Sequence, residues 1–537
     1  NPRPGEPVFF SDLTSGGATA WSWKFGNPQT GAANASTLQS PAHIFSQPGT
    51  FTVTLTARRG GDKSTRRQRL VVLVAEGGSA ASGARTVPVA GHVRGQDGRT
   101  FLTDVQIENP GDSPASATLS FQSRDGVSTA PIILDLAARE TRNVSDPVFE
   151  LFGLSDSMGA LRLDWSAGPV LGLRMTSRTY TLEGEGTLGQ AAAGFAASDD
   201  PLASRFVTGL ARNDLFRTNL GAVNDSTEFE SFQILLRASD GSLYGESLVI
   251  GLAPGRQTQI ALGDLFPGAA GLGLTAEVRP LAGSSAPFAY AAIVDNFSGD
   301  PTFYPASKPA PSVYLPGIAR VTGYGSAFFS TDLSIANVGD ETATVEVTFL
   351  EHDRDNNRAP SRLLSLAPRE TRQISDALGT LFGIEESYGA LAVEGADSDR
   401  IVVAERISTQ AGAGAGTVGQ QVDALSDEGF FSRGSILGLR QDGGFRSNVG
   451  LFNPEPFDAA VTLTLRRADG AVIGEAVVSV PPLGYVQRNL AVLFPGSPMP
   501  EGEKLTLSID SPELDVFAFA AVIDNVSQDP TFSPGLR

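Results

Sequence analysis

Histidine and acidic side chains are the residues of this sequence that could do chemistry, because they bind metal ions and transfer protons. The chain of 537 residues has three histidines, His43, His92 and His352. They are far apart, none has a partner at metal-ligand spacing, and the His-Glu-x-x-His helix of zinc proteases does not occur. We therefore predict no metal site from them, and a packing role for His43, which lies between Pro41 and Phe45.

One acidic segment has the spacing that opens a calcium loop. Asp353, Asp355 and Asn357 alternate as the first ligands of such a loop do. The sixth position is Arg358 where the loop needs glycine, and the twelfth is Leu364 where it needs glutamate. The segment is therefore predicted to be a polar hairpin tip.

Motifs of common catalytic machinery are absent from the sequence. It has no Gly-x-Ser-x-Gly elbow, no phosphate-binding glycine-rich loop and no dinucleotide fingerprint. Because it has no cysteine, it has no disulfide and no thiolate site. The sequence does not exclude a pair of carboxylates that cleaves glycosides, since a sequence does not show the geometry of such a pair. Catalysis needs one specialised site, whereas repetition suits avidity or assembly, so we predict no enzyme activity, no catalytic residues and no cofactor.

A block of about 115 residues recurs four times after residue 85, which indicates an array of domains. Each block has three polar anchors at fixed spacing, then a Leu-Phe-Gly or Leu-Phe-Pro-Gly segment, and closes on a threonine that we expect in a turn. The anchors are Thr103, Asp104 and Asn109; Thr218, Asn219 and Asn224; Thr331, Asp332 and Asn337; and Ser447, Asn448 and Asn453. The closing threonines are Thr187, Thr302, Thr417 and Thr531.

The blocks alternate between two types. The first and third share a Gly-Thr-x-Gly-Gln segment at 186–190 and 416–420, and the second and fourth share Asp-Asn and Asp-Pro-Thr-Phe segments within 295–303 and 524–532. We hypothesise that two unlike neighbours dock as a pair, so that each type carries its own interface. The predicted domains are a head at 1–77, a linker at 78–85, type A repeats at 86–198 and 311–425, and type B repeats at 203–308 and 432–537.

Composition and periodicity indicate strands. Glycine (60) and proline (34) are frequent, and Val461, Leu463 and Leu465 alternate with polar residues, which gives one buried and one wet face. Asp-Gly pairs at 125–126, 240–241 and 469–470 predict tight hairpins. Ser-Asp at 145–146 and 375–376 predicts a capped helical turn ending at Leu-Phe-Gly, whose phenylalanine closes one end of the sandwich. The third anchor of each block, an asparagine, is predicted in a turn with unusual backbone angles.

The first 77 residues alternate with period two around Trp21 and Trp23, and again along Phe51, Val53 and Leu55. Three segments resemble the polycystic-kidney-disease (PKD) domain: Trp21-Ser-Trp23-Lys-Phe25-Gly26, Pro41-Ala-His43-Ile-Phe45 and Pro48-Gly49-Thr50-Phe51-Thr-Val53-Thr-Leu55. The resemblance implies an immunoglobulin-like sandwich of secreted and surface proteins, often beside catalytic or adhesive domains. The predicted fold class is therefore all-β, a tandem array of five immunoglobulin-like β-sandwich domains that pack as independent units.

The head departs from the family pattern in two places. Lys24 and Asn27-Pro28 replace residues of the usual Trp-Asp-Phe-Gly-Asp-Gly, so no calcium site is predicted. The family also begins with a strand before the segment that is here Pro4-Gly5-Glu6-Pro7-Val8, which predicts an edge open to a strand supplied from elsewhere. The candidate assembly contacts are Asn1, Pro4, Val8, Phe10, Arg58, Arg59, Lys63, Arg66, Arg67 and Arg69.

Charge is unevenly distributed along the chain. Residues 1–78 hold eight basic and four acidic residues, whereas the remainder holds 32 basic and 55 acidic residues, a net charge of −23. A basic head on an acidic body favours contact between copies, or with other cell-envelope proteins or an anionic polysaccharide. The alternative is an edge strand whose charges only prevent aggregation. The basic stretch lacks the aromatic residues that would indicate nucleic acid, and no apolar run is long enough for membrane insertion.

These features predict a non-enzymatic secreted or cell-surface protein of structural or adhesive function, bacterial in origin and self-assembling into a filament or layer. The alternative is the non-catalytic, substrate-binding or spacer region of a large secreted hydrolase, in which Trp21 and Trp23 face a polysaccharide or protein. Exposure of their indoles distinguishes the two interpretations.

Overall fold

The computed structural model forms two compact units, residues 1–80 with 512–515 and residues 81–511 with 516–537. It describes residues 5, 7–12, 14, 17–27, 33–45, 49–59, 62–72, 81–95, 98–169, 172–196, 200–395, 400–411, 416–426 and 429–537. For residues 49–50, 52, 62–72, 81, 167–168 and 326 the description is of the backbone. The first unit contains the head and the second contains the four repeats.

The head is built from two sheets. Its strands are β1 Pro7–Phe9, β2 Ala20–Lys24, β3 Ala35–Ser36, β4 Ala42–Ile44, β5 Gly49–Arg59 and β6 Asp62–Val72. β1 pairs with β4, and the other sheet has the order β3-β2-β5-β6, so the basic strand β6 lies at its end. Trp23, Phe25, Phe45 and Val53 form the core between them.

The first repeat begins at Ala81, inside the segment predicted as a linker. Its elements are β7 Ala81–Arg94, β8 Thr100–Glu108, β9 Ala115–Ser123, β10 Ile132–Leu136, β11 Thr141–Val144, α1 Pro147–Glu150, β12 Ser157–Gly168, β13 Arg174–Glu183 and β14 Gly186–Ala193. The third repeat has the same order: β23 Ser312–Thr322, a 3-10 turn Tyr324–Ser326, β24 Phe328–Asn337, β25 Ala343–Glu351, β26 Ser361–Leu366, β27 Thr371–Ile374, α3 Ala377–Phe382, β28 Ser387–Gly395, β29 Ile401–Gln410 and β30 Thr417–Gln420.

The type B repeats have the same plan with shorter first strands. The second repeat has β15 Arg205–Arg212, β16 Phe216–Val223, β17 Glu230–Arg237, β18 Leu248–Leu252, β19 Gln257–Ala261, α2 Leu262–Leu265, β20 Gly271–Pro280, β21 Phe288–Asp295 and β22 Pro301–Pro305. The fourth has β31 Arg433–Leu439, β32 Phe445–Phe452, β33 Ala459–Arg466, β34 Val472–Val480, β35 Tyr485–Asn489, α4 Leu490–Leu493, β36 Leu505–Asp510, β37 Phe517–Asp524 and β38 Pro530–Pro534.

Each repeat packs two four-stranded antiparallel sheets around a core of aliphatic and aromatic side chains. In the second repeat the sheets are β15-β20-β17-β18 and β19-β16-β21-β22, and the fourth repeats this order. In the first repeat the long strand β7 pairs with β12 and, at its end, with β8, so that the two sheets are hydrogen-bonded together. The all-β fold class of tandem immunoglobulin-like sandwiches is thus confirmed.

Short helical turns follow the predicted caps. Asp146 and Asp376 are the N-caps of α1 and α3, and their carboxylates accept from Phe149 N and Gly379 N. The phenylalanines that follow pack against the cores, as predicted. The helices of the described residues are all too short to span a bilayer.

The four anchor asparagines stand where a strand ends: Asn337 is the last residue of β24, and the other three directly follow β8, β16 and β32. The predicted backbone reason is wrong. None of them has a positive φ, and each is almost completely buried. Asn337 shows why asparagine is needed: its Oδ1 accepts from Gly339 N at 3.0 Å, and its Nδ2 donates to the carbonyl oxygens of Glu341 and Ala367. The amide therefore ties together two loops that would otherwise leave buried carbonyls unpaired.

Candidate functional site: the seams between the repeats

The four repeats close on one another instead of packing as the independent units we predicted. A type B repeat meets the next type A repeat at what we call a BA seam, and the fourth repeat meets the first in the same way. Thr275 Oγ1 lies 2.8 Å from Thr371 Oγ1 at one BA seam, and Thr506 Oγ1 lies 2.7 Å from Thr141 Oγ1 at the other. Because the last repeat returns to the first, the second unit is a closed ring of four sandwiches.

The segments that distinguish type A from type B are the contact surfaces of the BA seams. Asp295 Oδ2 accepts from Thr417 N and Oγ1 at 2.8 and 2.9 Å. Asp524 Oδ2 accepts from the corresponding atoms of Thr187 at 2.9 and 2.8 Å. The closing threonines were predicted in turns, and this is wrong: all four lie in strands, β14, β22, β30 and β38. The hypothesis that each type carries its own interface agrees with this arrangement.

Two further acids are buried where these strands meet. Asp300 accepts from Gly419 N and Asp529 from Gly189 N, both at 2.8 Å, and both side chains are fully buried. Burial raises the pKa of Asp300 to about 7, although Arg406 opposes the shift. Burial, together with repulsion from Asp300, holds the pKa of Asp529 well above its usual range. The centre of the ring therefore holds acids that take up protons at a higher pH than an ordinary aspartate does.

Two Asp-Gly turns complete the BA seams. The turns at 240–241 and 469–470 close tight hairpins, as predicted, and their glycines have positive φ. A Cβ on Gly241 would lie 2.9 Å from the Cβ of Arg369, and a Cβ on Gly470 would lie 2.9 Å from that of Arg139. Both glycines are therefore required for close approach to the neighbouring repeat. Among the described residues, no antiparallel bridge closes the turn at 125–126 as the bridge of Arg237 with Leu243 closes the turn at 240–241, so the tight hairpin predicted there is wrong.

The two BA seams differ in a buried cluster of three residues. Between the fourth and first repeats, Arg174 Nη1 donates to Glu108 and to Ser435, at 3.1 and 2.7 Å, and Ser435 Oγ lies 2.8 Å from Glu108 Oε1. The equivalent positions between the second and third repeats form an apolar cluster with Phe206, Ala336 and Val402. One seam is therefore fastened by a buried ion pair and the other by apolar packing.

A type A repeat meets the type B repeat that follows it at an AB seam. Between the first and second repeats, Asp225 accepts from Thr86 Oγ1 at 2.6 Å and pairs with Arg162. Between the third and fourth, Asp353 Oδ1 accepts from Arg488 Nη2 at 2.6 Å. Asp353 belongs to the calcium-like segment, which is a hairpin tip as predicted, but it docks on the neighbouring repeat.

The AB seam between the third and fourth repeats contains a cavity of about 430 Å³, which we call the seam cavity. Aromatic side chains from both repeats line it, and the polar side chains are amides and one arginine, Arg446. The lining includes Tyr324, Phe329, Tyr388, Gln420, Arg446, Asn448 and Gln487. Its size falls in the range of small-molecule sites, about 300–1,000 Å³. Sequence reasoning did not find this site, because its walls come from strands far apart in the chain.

The histidines are structural in different ways. His43 is buried between the rings of Phe25 and Phe45, which is the predicted packing role, and burial lowers its pKa. His92 Nδ1 lies 2.6 Å from Asp146 Oδ2, beside the cap of α1. His352 stacks on Tyr388 with ring centroids 3.8 Å apart. Among the described residues, no three metal-binding side chains converge on one point.

The two tryptophans that the alternative interpretation assigns to a binding surface form hydrogen bonds within the head. Trp23 is 5% exposed and its Nε1 donates to Leu38 O at 2.9 Å. Trp21 is half-buried, and its Nε1 donates to Asp12 Oδ2 at 2.6 Å. An indole with its N–H bonded inside the domain is a core residue, so Trp23 does not provide the binding surface of the alternative interpretation.

The candidate assembly contacts of the head separate into three groups. Val8 and Phe10 pack against the core, and Arg58 and Arg59 are exposed at the end of β5. Four more lie on the edge strand β6, whose backbone is described: Lys63, Arg66, Arg67 and Arg69. Asn1 and Pro4 lie outside the described residues. The sequence reasoning missed Phe9, which lies between Val8 and Phe10 in the sequence and is 78% exposed.

Comparison with known proteins identifies one domain of this array of immunoglobulin-like sandwiches. Residues 2–72 match the family model of the PKD domain. No curated protein matches the chain. Two solved structures of alpha-2-macroglobulin from Escherichia coli, activated by porcine elastase and by trypsin, each match at 8% identity and a TM-score of 0.13. They cover 100% and 98% of this chain, which spans 52% and 47% of theirs, about half their length.

The head is therefore a PKD domain, a non-catalytic module typical of extracellular proteins. Likeness at a TM-score of 0.13 does not indicate a common fold with the two macroglobulins.

Proposed function

We propose that the chain is a non-enzymatic extracellular protein of structural and adhesive function, whose copies associate into a filament or layer on the surface of a bacterial cell. The observation that carries the proposal is an exposed aliphatic side chain at the same position of all four repeats. These residues are Ile133 (72% exposed), Val249 (62%), Leu363 (70%) and Val477 (72%). Four equivalent contacts on one molecule give avidity that a single contact does not.

Each of these side chains stands on a strand at the end of its sheet. The strands are β10, β18, β26 and β34, and within the described part of the chain one side of each has no neighbour in its sheet. Edge strands offer unpaired backbone groups and are usually protected by charges or covered. A strand added from another molecule would pair with this backbone and cover the aliphatic side chain.

The proposed occupant is the head of a second copy. Its edge strand β6 carries Lys63, Arg66, Arg67 and Arg69, whereas the repeats carry most of the acidic charge of a chain whose net charge is −19. Opposite charges steer the two surfaces together, and the attraction weakens as salt screens it. A basic edge strand and an acidic repeat body are thus complementary between copies.

The test compares matched surface variants by size-exclusion chromatography with light scattering and by electron microscopy, at low salt and high concentration. The quadruple variant I133K/V249K/L363K/V477K is expected to stay monomeric where the parent assembles, because each lysine replaces an aliphatic contact with a charge that repels the basic strand β6. L202K/V526K, at exposed aliphatic positions outside the edge strands, is the control and should still assemble. A parent protein that remains monomeric, or assembles equally well with four lysines, would contradict the proposal.

A further inference from the structure

The seam cavity combines aromatic walls with hydrogen-bonding side chains. Tyr324 stands at its rim, 72% exposed, and Phe329 and Tyr388 lie deeper. Aromatic faces pack against the C–H face of a sugar ring or against other flat apolar groups. The exposed rim leaves room for a ligand that is part of a longer chain.

Arg446 supplies the only charge among the described residues that line the cavity. Its Nη1 donates to Asn525 Oδ1 at 2.8 Å and its Nη2 to Gln528 Oε1 at 2.9 Å, and both partners are neutral amides. Its guanidinium lies 5.2 Å from the ring centre of Tyr324. Asp524 acts on its charge, but both oxygens of Asp524 are bonded elsewhere, to Thr187 and to the turn that follows Asp524.

An arginine held by neutral partners keeps donors free for a carboxylate, which it binds with strong, charge-assisted hydrogen bonds. The described residues that form the cavity walls include no competing carboxylate. This favours an anionic ligand, even though the chain as a whole is acidic, because charges farther away than about 8–10 Å are screened at physiological salt.

Amide side chains on the wall indicate that the ligand also forms neutral hydrogen bonds. Asn448 and Gln487 can each donate and accept, and a hydroxyl group is a ligand group that does the same. Fatty acids and simple aromatic acids have a carboxylate but no hydroxyl to match these groups.

We propose that the seam cavity binds a carboxylated sugar, a hexuronate unit of an acidic polysaccharide. The ring stacks on the aromatic walls, the carboxylate bonds Arg446, and the hydroxyls bond the amides. This proposal names a ligand for the adhesive function proposed above. It rests on that function only for the biological role of the binding.

The first AB seam provides a matched control. Arg217 occupies the position equivalent to Arg446, and its Nη1 donates to Asn296 Oδ1 at 2.9 Å just as Arg446 donates to Asn525. The position of Tyr388 is there taken by Met158. R217Q therefore makes the same chemical change outside the proposed site.

Isothermal titration calorimetry with tri-galacturonate and tri-glucuronate, in 0.15 M salt (physiological ionic strength), tests the proposal. Binding of one or both is expected. The methyl ester of the same sugar should bind at least about tenfold more weakly, because the ester keeps the hydroxyls but loses the charge. R446Q should weaken binding of the acid about tenfold or more, and R217Q should leave it unchanged.

Y324A is a second variant in case R446Q does not fold. Tyr324 is exposed at the rim, so its replacement should leave the fold intact and should weaken sugar binding several-fold. The proposal is overturned if neither acidic sugar binds, if the methyl ester binds as tightly as the acid, or if both variants bind like the parent. Decanoate binding in the absence of sugar binding would assign the cavity to a different ligand class. Light scattering of the same samples reports self-association separately, so the two proposals can fail independently.

Discussion

At the scale of single residues, the most consequential side chains are buried acids that the repeat pattern contained but did not explain. Asp300 and Asp529 stand in the Asp-Pro-Thr-Phe segments that mark type B repeats. From the sequence they could be assigned to a turn, whereas the structure places them in the centre of the ring. Their burial depends on a repeat that lies more than a hundred residues away, which no local pattern records.

The raised pKa of Asp300 makes the stability of the repeats depend on pH. Its folded-state pKa is about 7 against an ordinary value of 3.8. The contribution to stability is therefore complete below about pH 4 and is lost as the pH rises through 7. We expect the free energy of unfolding to fall over this window, and D300N to make the fall smaller, because asparagine keeps the acceptor for Gly419 N without the charge.

The measurement is thermal or urea unfolding between pH 4 and pH 8. Glu405 and Asp423 shift in the same direction, so the single variant reduces the dependence and does not abolish it. D355N, at an exposed position of the hairpin tip, is the control. An unchanged pH profile for D300N would show that Asp300 is not the titrating group.

At the scale of secondary-structure elements, the strands were predicted well because each depends on local alternation. Val461, Leu463 and Leu465 face the core as their spacing predicts. The capped turns were also predictable, since Asp146 and Asp376 cap within their own segments. The hairpin tip at Asp353 was predicted as an element, but its partner Arg488 is 135 residues away, and a sequence does not show such pairings.

The hairpin tip is expected to respond to its docking partner and not to calcium. Asp353 is held by Arg488 and His352, so millimolar calcium should leave the melting temperature unchanged. D353A should lower the free energy of unfolding by about 1 kcal/mol or less, because the pair is about a third exposed. Differential scanning calorimetry with and without calcium checks both statements. A calcium-dependent rise that D353A abolishes would establish the metal site instead.

At the scale of the whole molecule, two like pairs of repeats are held by two kinds of seam. The AB and BA seams alternate around the ring, and each occurs twice. The alternation of the two repeat types in the sequence predicted the pairs. The contact between the first and fourth repeats could not be predicted, because it leaves no pattern in the sequence of either repeat. The seam cavity follows from that same arrangement, since Tyr324 and Arg446 meet only across an AB seam.

The buried ion pair is expected to decide the strength of closure. E108A leaves Arg174 buried without its partner, which should destabilise the ring by about 3–5 kcal/mol. Replacing the whole cluster with the residues of the other BA seam should restore most of that loss, because apolar side chains of matching position need no partner. The triple variant is E108A/R174V/S435F.

Urea unfolding of parent, single and triple variants tests this expectation, with V338I at a partly buried position of the apolar seam as a control of small effect. The idea fails if E108A is as stable as the parent, or if the triple variant is no more stable than E108A.

Because both kinds of seam recur at corresponding positions, half of this architecture contains all the surfaces that the whole requires. A chain made of one type A and one type B repeat could meet a second identical chain around a two-fold axis and form the same ring from two molecules. Tandem fusion of the genes of such a homodimer would give this order of repeats. Each half of a fused chain is free to change alone, and the two BA seams do differ, one ionic and the other apolar.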